Sequence, residues 1–299
     1  MTLPKLTVCM PVFDAARYLR AAVESVLEQS FTDFEFLILD DGSTDGSLDI
    51  ARRYATRDER VLVMSYAHGG YARLLNIGLA HARGALFARM DADDTAHRLR
   101  FHLQVEYMER HPDCIGAGTQ LLMVDPDGDP INRTMYPLTH QEIEAGNLAG
   151  RYSMGHPSLV IRSATLRSAG GYHPELEPAE DFDLLLRLGE LGQLANLPEI
   201  LYYYRMHPHQ VTVRKYETQQ RGLREAMRQA CLRRGLPEPS RPPTIHRRPE
   251  RPWQVHVTWS ELAARAGHRS SAVKHGRKAV ALRPWSRTAW KVLWMAARR

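Results

Sequence analysis

The residues best suited to chemistry crowd into Met90-Asp91-Ala92-Asp93-Asp94, where three carboxylates follow the apolar run Ala85-Leu86-Phe87-Ala88. Like charges at the end of a buried strand repel one another and must be solvated or neutralised. A divalent cation is the simplest remedy, and hard cations such as Mg²⁺ or Mn²⁺ take oxygen ligands. Held by few carboxylates, such an ion keeps positions open for phosphate oxygens. A second acidic pair, Asp40-Asp41, precedes the turn Gly42-Ser43-Thr44-Asp45. Helix capping accounts for one polar residue there, but not for two acids at a strand terminus. A carboxylate at that place can accept a hydrogen bond from a nucleotide base. His68-Gly69-Gly70-Tyr71-Ala72-Arg73 sets a glycine turn and Arg73 at a helix start, which suits a diphosphate. It is neither a Walker nor a dinucleotide glycine signature. Glu180-Asp181 reads either as acids favoured at a helix N-terminus or as a reacting pair.

These residues sit on an alternation of strand and helix patterns. Strands are expected at 6–13, 34–39, 61–65 and 85–90, with helices at 15–29, 45–57 and 71–82. Such alternation implies an α/β fold with a mostly parallel sheet flanked by helices, in which ligands collect beyond the carboxyl ends of strands. Both acidic clusters fall at such ends. Further along, the patterns predict a helix at 98–110, a strand at 114–124 and a short strand at 158–161. Helices at 163–169 and 181–191, a strand at 200–205 and a long helix at 216–234 follow. The stretch 235–252 holds six prolines and reads as an extended linker. Three helices near 255–266, 271–282 and 286–297 complete the chain.

With 299 residues and 43% hydrophobic content, the chain can bury a substantial core in one or two domains. No apolar run reaches the roughly 18 residues of a spanning helix. The opening Met1-Thr2-Leu3-Pro4-Lys5 carries no secretory signal, and three scattered cysteines without metal-ligand spacing suggest reduced thiols. A cytoplasmic protein is expected. The net charge of +6 conceals an asymmetry, because residues 221–299 carry 19 Lys/Arg against 4 Asp/Glu. A basic tail on an acidic body can meet an anionic membrane surface or a polyanionic acceptor, or it can be a solvated helical surface.

Taken in order, the motifs resemble glycosyltransferase family 2, the inverting nucleotide-sugar transferases of GT-A fold. The resemblance runs from Thr7-Val8-Cys9-Met10-Pro11-Val12-Phe13 through Asp40-Asp41-Gly42-Ser43, Ala72 to Asn76 and Arg89-Met90-Asp91-Ala92-Asp93-Asp94. It continues with Gly155-His156-Pro157-Ser158, Gly170-Gly171-Tyr172, Ala179-Glu180-Asp181-Phe182-Asp183 and Tyr204-Arg205-Met206-His207, covering roughly residues 6 to 212. It implies a catalytic domain over 1–215, with a nucleotide-sugar half at 1–95 and an acceptor half at 96–215. The basic helical region 216–299 lies outside it. By the same resemblance Pro11, Val12, Asp41, Arg73, Asp91, Ala92 and Asp93 bind the donor. Asp93 ligates a divalent cation (Mn²⁺ or Mg²⁺), and His207 is a further candidate ligand. Asp181 is the catalytic base, with Glu180 and His156 on the acceptor side.

A single displacement needs an ionised base to take the acceptor's proton, and an ordinary Asp, with a pKa of ~3.9, is ionised at neutral pH. The expected reaction moves a sugar from a nucleotide-diphosphate sugar to a glycan or lipid-linked acceptor in cell-surface polysaccharide synthesis. The tail would touch the inner face of the membrane, and nucleic acid is not an expected partner. Two alternatives remain, a nucleotidyltransferase and a catalytically weak nucleotide- or glycan-binding module. The position of Asp181, far along the chain as a separate base, favours the transferase.

Overall fold

A computed structural model describes residues 3–207, 215–239 and 251–298. Most of the proline-rich stretch, residues 240–250, lies outside the described residues, and the linker expectation with it. The chain divides into two compact units. The first comprises 1–120, 136–202 and 217–244, and the second 121–135, 203–216 and 245–299.

The first unit is built on β1 (Leu6–Val12), β2 (Phe34–Asp40), β3 (Val61–Ser65) and β4 (Leu86–Arg89). β1 and β2 are buried at every position, the condition in which parallel strands read as continuous apolar runs. β1 pairs in parallel with β2 and β4, and β2 with β3. The connections are α1 (Ala16–Leu27), α2 (Ser47–Ala55) and α3 (Tyr71–His81). α1 turns Leu19, Ala22, Val23 and Val26 into the core, the spacing of one helical face. α3 lies so close to β1 that a side chain at Gly78 would run into the Cys9 sulfur.

Beyond β4 the sheet changes character. β5 (Thr95–Ala96), α4 (Arg100–Arg110), β6 (Cys114–Val124), β7 (Pro130–Thr134), α5 (His140–Leu148), β8 (Val160–Arg162), α6 (Ser163–Ser168), α7 (Glu180–Gly189) and β9 (Gln193–Arg205) follow in order. The strand order is β3-β2-β1-β4-β8-β6-β9-β5, and β8 runs antiparallel to both β4 and β6. The parallel half therefore carries the βα units, while β6, β7 and β8 pair antiparallel. The expected strand at 200–205 is the end of the much longer β9, and β5, β7 and α5 were not anticipated. Helix α8 (Tyr216–Arg234) belongs almost wholly to the first unit, where Gly222 packs on Ala179.

In the second unit, β7 pairs antiparallel with the end of β6. Helices α9 (Pro252–Arg265), α10 (Arg269–Leu282) and α11 (Arg287–Arg298) form the rest. Ile131, Met206 and Trp259 make one apolar cluster, and Ala263, Ala272 and Ala296 make another. Between β6 and β7 the fully buried Asp125 folds a turn on its own side chain, accepting from the amides of Asp127 and Asp129 at 2.9 Å each. Lys274 donates to Asp125, Asp127 and Asp129 at 2.5, 2.7 and 2.6 Å. Burial opposes the charge on both sides of this cluster. The hydrogen bonds nevertheless hold the Asp125 carboxyl below, and the Lys274 amine above, its usual range.

Candidate active site

The acidic residues of the first unit gather at the carboxyl ends of β1, β2 and β4, but they do different work. Asp40 is buried and closes its own turn, accepting from the amides of Gly42 (3.3 Å) and Ser43 (3.2 Å) and from the Ser65 hydroxyl (2.8 Å). Asp41 is tied to β1 through its amide, 2.8 Å from the Val12 carbonyl. Its carboxylate accepts from the amides of Gly69 (2.9 Å) and Gly70 (3.0 Å) and lies 2.8 Å from His68 Nδ1. The glycine turn is therefore fastened to Asp41. On the outer side of this turn the His68 ring stacks on exposed Phe13 with centroids 4.4 Å apart. Pro11 and Val12 are buried positions of β1 and meet Leu39 and Asp40 in register.

The start of α3 is held by acids from elsewhere in the chain. Gly70 has φ +94°, and a side chain there would collide with the Glu177 carboxylate. That carboxylate accepts from the Ala72 amide at 3.2 Å, so the chain's own acids take the helix-end amides that a diphosphate was expected to use. Arg73 points back over its loop, donating to the Ala67 carbonyl at 3.2 Å. Glu177 and Asp41 lie far from this loop in sequence, which is why the glycine pattern alone gave no sign of them.

The Asp91-Ala92-Asp93-Asp94 stretch does converge. Ligand oxygens of Asp91, Asp93 and Asp94 lie within 4.8 Å of one another, and they are the metal-ligand cluster found among the described residues. Asp94 and Ala92 are buried, while Asp91 and Asp93 are partly open. Asp91 accepts from the Tyr71 hydroxyl at 2.7 Å and from Arg89 at 2.8 Å, and its amide meets the Tyr202 hydroxyl at 3.2 Å. Burial, followed by the attraction of Arg89 and the repulsion of Asp93, leaves its carboxyl pushed up to about 6. An all-oxygen set under such strain fits a hard cation, which would relieve the repulsion. His207 belongs to the second unit and is not among these ligands.

Arg89 joins this cluster to the other candidate acid. Its guanidinium lies 4.7 Å from the Tyr71 ring centroid, and its charge acts on both Asp91 and Asp181. Asp181 sits in the first turn of α7, accepting from the Phe182 amide (2.7 Å) and the Tyr152 hydroxyl (3.0 Å). Burial raises its carboxyl, and Arg89 and these donors counter the rise. Neighbouring Glu180 is more deeply buried and has an oxygen without a hydrogen-bond partner among the described residues. Burial, followed by the Asp181 charge, pushes it up to about 8. The two carboxyls titrate as a pair, in which burial and the Asp181 charge favour the proton on Glu180 while Arg89 and the two donors favour charge on Asp181. His156 lies in the first unit. It is buried, with Nε2 3.1 Å from the Tyr172 hydroxyl, and burial and Arg89 keep it neutral.

Sequence reasoning assigned no role to Arg89, Tyr71, Tyr152, Tyr202 or Arg100. Fully buried Arg100 donates to the Arg89 carbonyl at 2.8 Å and stands over the Tyr202 ring, so it braces the same corner. An arginine closing the apolar run Ala85 to Ala88 was a visible signal for Arg89. Tyr152 had none, because its partner is 29 residues away.

The family model described as Glycosyl transferase family 2 matches residues 7–164. The chain belongs to glycosyl transferase family 2. The matched stretch contains Asp41 and the Asp91–Asp94 cluster, while Glu180 and Asp181 lie beyond it. EpsE of Bacillus subtilis (strain 168), itself assigned as a glycosyltransferase, is 34% identical over 68% of this chain and 73% of its own length. The O-antigen biosynthesis glycosyltransferase WbnJ of Escherichia coli is 29% identical over 77% of this chain and 92% of its own. The hyaluronan synthase of Pasteurella multocida is 26% identical, and the match spans only 24% of its length. Among solved structures, S. aureus TarS 1-349 in complex with UDP-GlcNAc has a TM-score of 0.64 at 19% identity, covering 98% of this chain and 79% of that one. The mannosyltransferase PcManGT from Pyrobaculum calidifontis, in complex with GDP-Man and Mn²⁺, has a TM-score of 0.58 at 17% identity, over 100% and 87%. Likeness at this identity is one of fold, and the fold of this glycosyltransferase is GT-A.

Proposed function

We propose that this family 2 glycosyltransferase is metal-dependent and inverting, and transfers a sugar from a nucleotide-diphosphate sugar to a hydroxyl of a glycan or lipid-linked acceptor. The observation that carries the proposal is Arg89, which is hydrogen-bonded to Asp91 of the Asp91–Asp94 cluster and whose charge also acts on Asp181. One set of acids suits a cation, and the other suits a proton. The relatives' named roles in O-antigen biosynthesis and hyaluronan synthesis support a place in surface polysaccharide assembly.

In this reading Asp91 and Asp93, with Asp94 behind them, hold a divalent cation such as Mn²⁺ or Mg²⁺, as the Mn²⁺ complex of a structural neighbour suggests. The bound ion would supply positive charge to the diphosphate as it leaves. Pro11, Val12 and the Asp41-fastened turn shape the nucleotide side, and Tyr71 orients Asp91. Asp181 takes the acceptor's proton. Its ionised form is favoured by the Phe182 amide, Tyr152 and Arg89, whereas Glu180 keeps its own proton. A single base acting on the acceptor, without a covalent intermediate, would make the displacement single and hence inverting. The basic C-terminal region would bring the enzyme to a membrane surface where a lipid-linked acceptor lies.

The decisive test is Asp181→Asn, assayed for nucleoside diphosphate release and for donor binding. The expected outcome is a loss of turnover of at least ~10²-fold with donor affinity retained. Turnover that survives the substitution removes Asp181 from the mechanism.

A further inference from the structure

We infer that α11 and the residues just before it form a membrane-docking face that inserts tryptophan side chains into the interface of an anionic bilayer. This deepens the membrane part of the proposed function, but it can stand or fail without the assignment of the chemistry.

Helix α11 has two unlike faces. Ala289, Val292 and Ala296 are buried, a spacing of three and four that marks the side packed into the second unit. The opposite side presents Trp290 and Trp294, which are 54% and 55% exposed, and Trp285 just before the helix is 82% exposed. Arg287, Lys291 and Arg298 share this outer side and are exposed as well. The indole N–H of Trp290 donates to the Pro284 carbonyl at 2.7 Å, and the Arg298 guanidinium lies 3.8 Å from the Trp294 ring centroid. The rings are thus held in place rather than trailing in solvent. Exposed indoles grouped on one helix face are costly in water, and their company selects the partner.

Charge argues for an anionic surface. After Glu261 the chain has ten Lys/Arg and no Asp or Glu. Tryptophan with arginine and lysine on one side of an amphipathic helix is the composition of a segment lying in the headgroup region, where the indole finds both apolar and polar surroundings. A second copy of the chain fits less well, because two such faces would repel. A polysaccharide fits less well too. After Glu261 the chain also lacks Asn and Gln, so this segment brings no side-chain carboxylate or carboxamide of its own to pair with sugar hydroxyls. No described helix is long and apolar enough to cross a membrane, so the contact would be interfacial.

The test is flotation of the full-length protein with phosphatidylcholine vesicles, with and without 30% phosphatidylglycerol (about one anionic lipid in three, enough for a polybasic segment to sense). The expected result is binding to the anionic vesicles alone, weakened by added salt, with a blue shift of tryptophan emission. Trp290→Ser with Trp294→Ser should lower the partition coefficient on the order of tenfold or more, as should Arg287→Gln with Lys291→Gln. The charge pair lies on the exposed face, so it tests the inference even if the tryptophan pair unfolds the helix. Equal binding to neutral vesicles, or no binding, overturns the inference. So does concentration-dependent dimerisation, or binding to an acidic polysaccharide, that the same variants abolish without any vesicle binding. Donor binding measured in solution keeps this outcome separate from that of the proposed chemistry.

Discussion

At the scale of single residues, Asp91 links charge to function. Its carboxyl, pushed up to about 6 chiefly by burial, holds a proton below that pH when no cation is bound. A cation needs the ionised form, so its affinity should fall as pH falls through 6. One unit below the pKa the ionised fraction is about a tenth, so Mn²⁺ titrated calorimetrically should bind on the order of tenfold more weakly at pH 5 than at pH 7.5. Asp91→Asn should bind weakly at both, and a pH-independent affinity in the native protein would contradict the assignment. Arg89 acts in the opposite direction on both acids, favouring their ionised forms. In Arg89→Gln the carboxyls of Asp91 and Asp181 should both rise. The acidic limb of the kcat/KM profile should therefore move to higher pH, and a profile that stays in place would show that Arg89 does not tune the base.

Elements explain what could be read early and what could not. β1 to β4 and the helices between them were legible because strands covered on both faces write themselves as apolar runs. β9 was visible only at its end, since Pro198 and Glu199 interrupt its pattern, and a proline inside a run argues against a strand. β7, Pro-Ile-Asn-Arg-Thr, is too polar to stand out. α5 was missed despite a usable signal, because Thr139 and Glu142 form a capping box. The Asp125 turn is closed by its own amides. Its purpose comes from Lys274 on α10, 149 residues away, and no local pattern reports such a partner. That contact carries a prediction of its own. In Lys274→Met the buried Asp125 would lose its main cation, and breaking such a pair typically costs about 3–5 kcal/mol. Since Lys274 is about a quarter exposed, solvent screening should bring the loss nearer ~2 kcal/mol. Urea denaturation should show it, and an unchanged midpoint would mean that the aspartates are satisfied by their own turn.

At the scale of the whole molecule, the two units differ in what they hold. Asp41, the Asp91–Asp94 cluster and Asp181 all fall in the first unit, whereas all five tryptophans (253, 259, 285, 290 and 294) fall in the second. The sequence thus supplies a reporter for one unit, while circular dichroism follows the helices of both. A ligand that binds only the folded state stabilises by RT ln(1 + [L]/Kd), about 2.7 kcal/mol at a hundredfold excess over Kd. For domains of this size that corresponds to a Tm increase of ~5–10 °C. Nucleotide sugar with Mn²⁺ should therefore raise the midpoint seen by circular dichroism and move the tryptophan-reported midpoint less. Either ligand alone should do less than the two together, since cation and diphosphate share charge. Equal movement of both probes would show that the units unfold as one, and no movement with any donor would remove the Asp91–Asp94 cluster from nucleotide-sugar binding. Acid should weaken the second unit through a histidine buried in it. His256, lowered to about 4 by burial and then by His275, binds its proton more readily once unfolded, so it adds stability above about pH 6.5 that is lost as pH falls toward 4. The tryptophan-reported transition should accordingly soften as the solution is acidified from pH 7 to 5, and His256→Phe should blunt that sensitivity.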